Sequence, residues 1–281
     1  MNIEDTIKPG DFFKYGYPGP VHDLGAYREF ISCYDRQTKN PYWVVEHITA
    51  DSLKRNGDTN RGKSVFKEDE KIPMEYRGLL RNYFRSGYDR GHQAPAADAK
   101  FSQEAMDETF YLSNMCPQVG QGFNRDYWAH FEDFARRLTS QYKHVRIVTG
   151  PLYLPKKYPD GKYRVSYEVI GNPPNVAVPT HFFKLIVGER TDITNVNEQP
   201  ISAAAFILPN DRISNDVPLR SFQVPVEALE RSTGLSFFHQ ISNKSNIKNL
   251  CDEVKCDIIV REFPKALPAP EEVLSLPAPK D

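Results

Sequence analysis

A chain of 281 residues that is 40% hydrophobic and 12% aromatic can bury a sizeable core and is too apolar to stay disordered. A net charge of −1 argues against a protein coated in positive charge. No run of eighteen apolar residues is present, which argues against a membrane-spanning helix.

The N-terminal MNIEDTIKPGDFF has neither a signal peptide's apolar stretch nor a transit peptide's Arg and Ser bias. That leaves two options, a cytosolic protein or one whose targeting segment is not in this chain. Residues 1–40 read as an N-terminal arm and 41–265 as one folded domain. The first strand expected is YWVVEHIT, Tyr42–Thr49, rich in β-branched and aromatic residues. Between Ser52 and Arg90 ten Lys or Arg face six Asp or Glu, so a local basic surface or an ordinary solvated face follows the strand.

YDRGHQAPAADAKFSQ, Tyr88–Gln103, is unlike a core strand. In an extended backbone Arg90 and His92 point to one face, joining a possible base to a guanidinium suited to phosphate. Gly91 between them permits close approach of backbone or ligand. Asp89 is expected to anchor the strand by hydrogen bonding. Further on, RDYWAHFEDFARRLTSQY reads as a helix over Arg125–Tyr142, with Tyr127, Phe131, Phe134, Ala135 and Leu138 on its apolar face. Asn124, just ahead of it, is either a helix cap or an oxygen ligand for a hard divalent cation. Trp128, Glu132 and Arg136 follow at intervals of four; Glu132 and Arg136 form either a surface ion pair or part of such a site.

Strands are then expected at His144–Leu154, Tyr163–Ile170, His181–Glu189, Ile201–Pro209 and Cys256–Phe263, with a turn at Gly171–Asn175. A short helix should start near Pro225 and stop before Gly234. Four cysteines, Cys33, Cys116, Cys251 and Cys256, are too scattered for a disulfide framework, and CDEVKC lacks the partners of a zinc site. Residues 266–281 form a Pro-rich C-terminal tail. The whole predicts a single α+β domain with a mixed, largely antiparallel sheet flanked by helices.

DRGHQAPAAD, YLSNMCPQ and FNRDYWAHFED together resemble the DNA/RNA non-specific endonucleases with a ββα-metal site, most of all the endonuclease G type and its fungal mitochondrial counterparts. The likeness runs from about Tyr42 to Phe263. It implies His92 as general base, Asn124 as magnesium ligand, and Glu132, eight residues on, as holder of the metal's waters. It implies Arg90, Arg136 and the upstream Arg61 as phosphate-stabilising groups. It further implies Mg²⁺ with Mn²⁺ as a substitute, DNA and RNA as substrates, a homodimer, a mitochondrial location and a role in cell death. The small residues after His92 are then expected to leave room for nucleic acid. Two other readings compete: a catalytically silent nucleic-acid-binding protein of the same fold, and a cysteine hydrolase built on Cys116.

Overall fold

The computed structural model describes residues 12–16 and 23–262. Along the chain run β1 (Asp23–Ala26), β2 (Phe30–Asp35), β3 (Asn40–Ile48), β4 (Asp89–His92), β5 (Met115–Gln118), β6 (His144–Leu152), β7 (His181–Glu189), β8 (Ile201–Pro209), β9 (Gln223–Val224) and β10 (Ile247–Asn249). The helices are α1 (Leu80–Tyr83), α2 (Gln103–Glu108), α3 (Tyr127–Arg137), α4 (Val226–Thr233) and α5 (Leu250–Glu253). Eight strands make one sheet in the order β1-β2-β3-β6-β7-β8-β9, with β10 also on β8; β4 and β5 make a ladder of their own. All pairing in the large sheet is antiparallel except β10 beside β8. The expected α+β fold is the one observed.

β6, β7 and β8 are apolar almost without interruption, because both faces of the sheet are covered. On one face Val145, Ile147, Phe182, Ile186 and Phe206 pack against Tyr127, Phe131 and Phe134 of α3 and Leu138 just after it. On the other, Trp43, Val45, Phe183 and Leu185 pack with Phe13 and with Leu229 of α4. Each fully buried Phe contributes roughly 1.5–3 kcal/mol of transfer free energy, so these two layers fix where α3 lies.

Several boundaries differ from the sequence expectations. Asp23–Asp35, expected within an arm, forms β1 and β2 and extends the sheet beyond β3. Tyr163–Ile170 has strand pairing only at its two ends, Tyr163–Arg164 and Val169–Ile170. Its alternating Tyr163, Val165, Tyr167 and Val169 are all exposed, so the pattern is strand-like but joins only two-residue ladders and not the large sheet. Cys256–Glu262 forms no strand, and Phe263 lies outside the described residues. Cys251 and Cys256 are joined by a disulfide, a pairing the cysteine pattern did not suggest. The proposed tail 266–281 lies outside the described residues. No helix among the described residues is long and apolar enough to cross a membrane.

Candidate active site

β4 pairs antiparallel with β5, placing Asp89 opposite Gln118 and His92 opposite Met115. A turn, Gly120–Asn124, then leads into α3, so two short strands, this turn and a helix carry every motif residue except Arg61. Gly91 is required here. A Cβ at that position would lie 2.0 Å from the buried Gln118 Oε1, so the close approach anticipated there is to a protein side chain. Asn114 brackets the strand's exit: its Oδ1 accepts from Ala94 N at 3.0 Å and its Nδ2 donates to Ala94 O at 2.9 Å.

Arg90 and His92 share a face, as alternation requires, and the shared neighbour is Phe66. The Arg90 guanidinium lies 4.3 Å from the Phe66 ring centroid, and the His92 and Phe66 rings are 5.7 Å apart. Phe110 meets His92 edge-on at 4.8 Å and carries the Arg61 guanidinium 5.6 Å from its centroid. Phe66 and Phe110 thus gather three polar groups from two segments, Arg90 and His92 of β4 and the upstream Arg61, around two rings. Cation–π contacts of this kind are worth about 0.5–2 kcal/mol and fix orientation. Sequence spacing points to neither phenylalanine; only an isolated aromatic in a polar stretch marks Phe66.

His92 is 8% exposed, and its Nε2 is buried without a hydrogen-bond partner. Burial pushes its pKa well below the usual histidine range, and the Arg61 charge adds to the effect. The imidazole is therefore neutral near neutral pH, with a basic nitrogen available.

Asp89 does anchor the strand, and more. Its carboxylate accepts Asn124 Nδ2 at 2.9 Å and Arg125 Nε at 2.7 Å. A Cβ on Gly120 would sit 2.9 Å from the same carboxylate, so the turn closes tightly over it. Asn124 is therefore not the helix cap. Asp126 holds the N-cap position, and the helix begins at Tyr127, two residues later than the periodicity predicts. With Nδ2 committed to Asp89, the amide oxygen is the atom Asn124 has to offer.

Glu132 and Arg136 do not form a surface pair. Arg136 Nη1 donates to Asp98 at 2.9 Å, with side chains 13% and 1% exposed. Burial raises the Glu132 pKa to about 7, opposed first by Lys184 and then by Arg136, with Arg61 also lowering it. Lys184 lies over the Trp128 ring at 4.9 Å and donates to Thr149 at 2.7 Å. Trp128, on the same helix row, is a core residue.

One expectation is overturned. Ala94, Ala96 and Ala99 are 0–1% exposed and pack against aromatic clusters that include Phe30, Phe101 and Phe110. They are small so that the loop fits the core, not to leave a groove for nucleic acid. The cysteine-hydrolase reading also fails: Cys116 is buried, and burial pushes its thiol well above the ordinary value, away from thiolate.

Two pairing strands, the turn after them and a helix bring together a neutral imidazole, an amide oxygen and two guanidiniums, and Arg61 adds a third guanidinium from a separate segment. The match to the model of the DNA/RNA non-specific endonuclease family covers residues 8–244, and the chain belongs to that family. It is 64% identical over 278 residues to the mitochondrial nuclease of Saccharomyces cerevisiae, covering 98% of this chain and 83% of that protein. It is 41% identical over 232 residues to the mitochondrial endonuclease G of Homo sapiens, covering 83% and 74%. A solved EndoG/EndoGI complex, described as showing the mechanism of EndoG inhibition, superposes with a TM-score of 0.79 at 49% identity, covering 85% of this chain and 94% of that one.

Proposed function

We propose that this enzyme is a magnesium-dependent endonuclease that hydrolyses DNA and RNA without regard to sequence or sugar, with His92 as general base. The observation that carries the reading is the His92 imidazole: buried, neutral, with Nε2 unpartnered, and set among Arg61, Arg90, Phe66 and Phe110. A histidine kept only for structure would have both nitrogens satisfied.

In this reading His92 takes a proton from water as the oxygen attacks phosphorus, a contribution of about 10²–10⁴ in rate for a positioned base. Arg61, Arg90 and Arg136 neutralise the charge that builds on the phosphoryl oxygens. Arg136 acts from a fixed position because Asp98 holds one end of its guanidinium. The donor set suits a single hydrated Mg²⁺: among the described residues no cluster of three or more His, Cys, Asp or Glu could hold a metal, while Asn124 offers a neutral oxygen and Glu132 a carboxyl. When bound, the metal supplies a positive charge that polarises the phosphoryl oxygen and steadies the departing 3′ oxygen. Mn²⁺ would serve in its place. Asn124 contributes the amide oxygen that Asp89 orients, and Glu132 steadies bound water from α3.

The relatives named as mitochondrial support a mitochondrial location. Substrates are reached through backbone phosphate, and a homodimer and a part in cell death follow the family resemblance. Cleavage of supercoiled plasmid and of RNA, with Mg²⁺, with chelator, and after Mg²⁺ or Mn²⁺ is returned, tests the reading. Loss with chelator and recovery with either metal is expected. Cleavage that survives chelation contradicts it, and nucleic-acid binding without any cleavage would favour a silent binder.

A further inference from the structure

Residues 163–169, YRVSYEV, lie outside both the site and the core. Tyr163, Val165, Tyr167 and Val169 are between 43% and 67% exposed, so the chain itself covers little of this apolar row. The row has a fixed orientation, because the Tyr167 ring rests against Tyr153 with centroids 4.8 Å apart. Backbone bonds show which edge is open. Lys162 O accepts from Tyr158 N at 2.9 Å, and Glu168 O accepts from Val178 N at 2.8 Å. No turn or bend interrupts residues 163–170, and carbonyls an even number of residues apart in an extended chain point the same way. Both short ladders therefore sit on one edge, and the N–H and C=O groups of Tyr163, Val165, Tyr167 and Val169 point out from the other. Among the described residues Val165, Ser166 and Tyr167 make no backbone hydrogen bond at all.

An open edge with alternating apolar residues is a template for a further strand. The sequence says which strand fits, because it is complementary to its own reverse. Laid antiparallel on a second copy about Ser166, Tyr163 meets Val169, Arg164 meets Glu168, Val165 meets Tyr167 and Ser166 meets itself. The backbone alternation agrees. The outward-pointing odd residues form the hydrogen-bonded pairs, and Arg164 and Glu168 fall in a non-hydrogen-bonded pair, where side chains lie closest. Both can take a further partner. The Arg164 guanidinium meets Asp160 through its two terminal nitrogens, and one Glu168 oxygen accepts from Tyr88 at 2.9 Å, which leaves the other oxygen. Lys156 and Lys157 sit on the inner ladder, away from the open edge, so they meet no copy of themselves across it.

We propose that this edge is the seam of a homodimer: two copies pair antiparallel through residues 163–169, with Arg164 of each against Glu168 of the partner subunit and Ser166 on the two-fold axis. The inference rests on the homodimer reading and gives it a surface; it does not depend on the catalytic roles. Packing of Tyr163 on Val169 and of Val165 on Tyr167 across the seam shields the apolar row that the single chain leaves to water.

Sedimentation velocity of the parent and of charge-reversed variants tests it, with melting temperature recorded to confirm folding. Glu168→Arg sets like charges opposite each other on both sides of the axis and should raise the dimer dissociation constant about tenfold or more. Arg164→Glu should do the same, and the double variant Arg164→Glu/Glu168→Arg should restore the dimer. Ser166→Cys should crosslink two copies under oxidised glutathione, since facing Cα atoms in such a pair lie about 4.5 Å apart, within reach of a disulfide. Val165→Cys, one residue off the axis, should not. The native cysteines do not compete: Cys33 and Cys116 are buried, and Cys251 is bonded to Cys256. A monomeric parent overturns the homodimer and the seam together. A parent dimer that withstands both single reversals, or reversals that the double variant does not rescue, overturn the seam and leave the homodimer to another surface. Crosslinking at Val165→Cys in place of Ser166→Cys overturns the axis at Ser166. Should a reversal fail to fold, the two cysteine variants decide, because both replace exposed side chains.

Discussion

Replacing Asp89 with Ala separates orientation of Asn124 from simple stability. The carboxylate accepts one bond from Asn124 and two from Arg125. The Arg125 side chain is 67% exposed, so its ion pair is screened by water and contributes only about 0–1 kcal/mol. The Asn124 bond is partly buried and charge-assisted, worth about 1.5 kcal/mol. A total near 2 kcal/mol should lower Tm by only ~5 °C, leaving the protein folded at assay temperature. Activity should fall much further, about 10–100-fold, because the Asn124 amide loses the partner that sets its rotation. The loss should shrink as Mg²⁺ is raised, since what is damaged is affinity for the ion. Melting curves and initial rates across a Mg²⁺ series read both effects. Activity that falls only in proportion to the unfolded fraction would show that Asp89 is merely a strand anchor.

Other consequences follow from particular contacts. Gly91→Ala places a Cβ 2.0 Å from buried Gln118 Oε1 and should cost about 1–3 kcal/mol, seen as a lower urea midpoint; an unchanged midpoint contradicts the close packing. Burial raises Glu132 from 4.5 to about 7, so between those values the folded state keeps a proton that the unfolded chain has released. In the metal-free protein this carboxyl therefore removes stability as pH rises through that window, and Glu132→Gln should gain stability relative to the parent between pH 5 and 7.5. A parent-minus-variant difference flat with pH refutes the raised value. Substrate affinity should fall steeply from low to high salt, because arginines read phosphate and release counterions; a flat response would mean that base contacts dominate.

Much of the fold is written locally. His181–Glu189 and Ile201–Pro209 are legible to the residue because strands buried on both faces leave continuous apolar runs between turns. Pro225 and the left-handed Gly234 bound α4 as their conformational limits require. Phe30–Asp35 escapes because FISCYD mixes polar and apolar residues, and its place in the sheet comes from long-range pairing with β3. Tyr163–Ile170 shows the reverse fault, an alternating pattern that pairs only in two-residue ladders at its ends, with Lys156–Lys157 and Val176–Ala177, and not with the large sheet. In the site, the linear motif places His92, Arg90, Asn124 and Glu132, because two strands and a helix follow one another in sequence. Phe66, Phe110 and Lys184 belong to the same site but arrive from separate segments, and no spacing rule connects them; Asp98 ends the linear motif, but nothing in the sequence joins it to Arg136. The expectation for the alanines after His92 fails for that reason: their packing partners, such as Phe30 and Phe110, lie outside that stretch.

The most direct test compares His92→Ala with Asn124→Ala across a magnesium titration, with melting temperature, metal binding and nucleic-acid binding recorded for each. A base and a metal ligand fail differently. His92→Ala should stay folded, bind substrate and Mg²⁺ nearly as the parent does, and lose about 10²–10⁴ in rate that no added metal restores. Exogenous imidazole should recover some activity only in that variant. Asn124→Ala should bind Mg²⁺ more weakly and regain part of its activity as the metal is raised. Two variants destabilised alike, each losing activity only as it unfolds and neither responding to magnesium, would contradict the account.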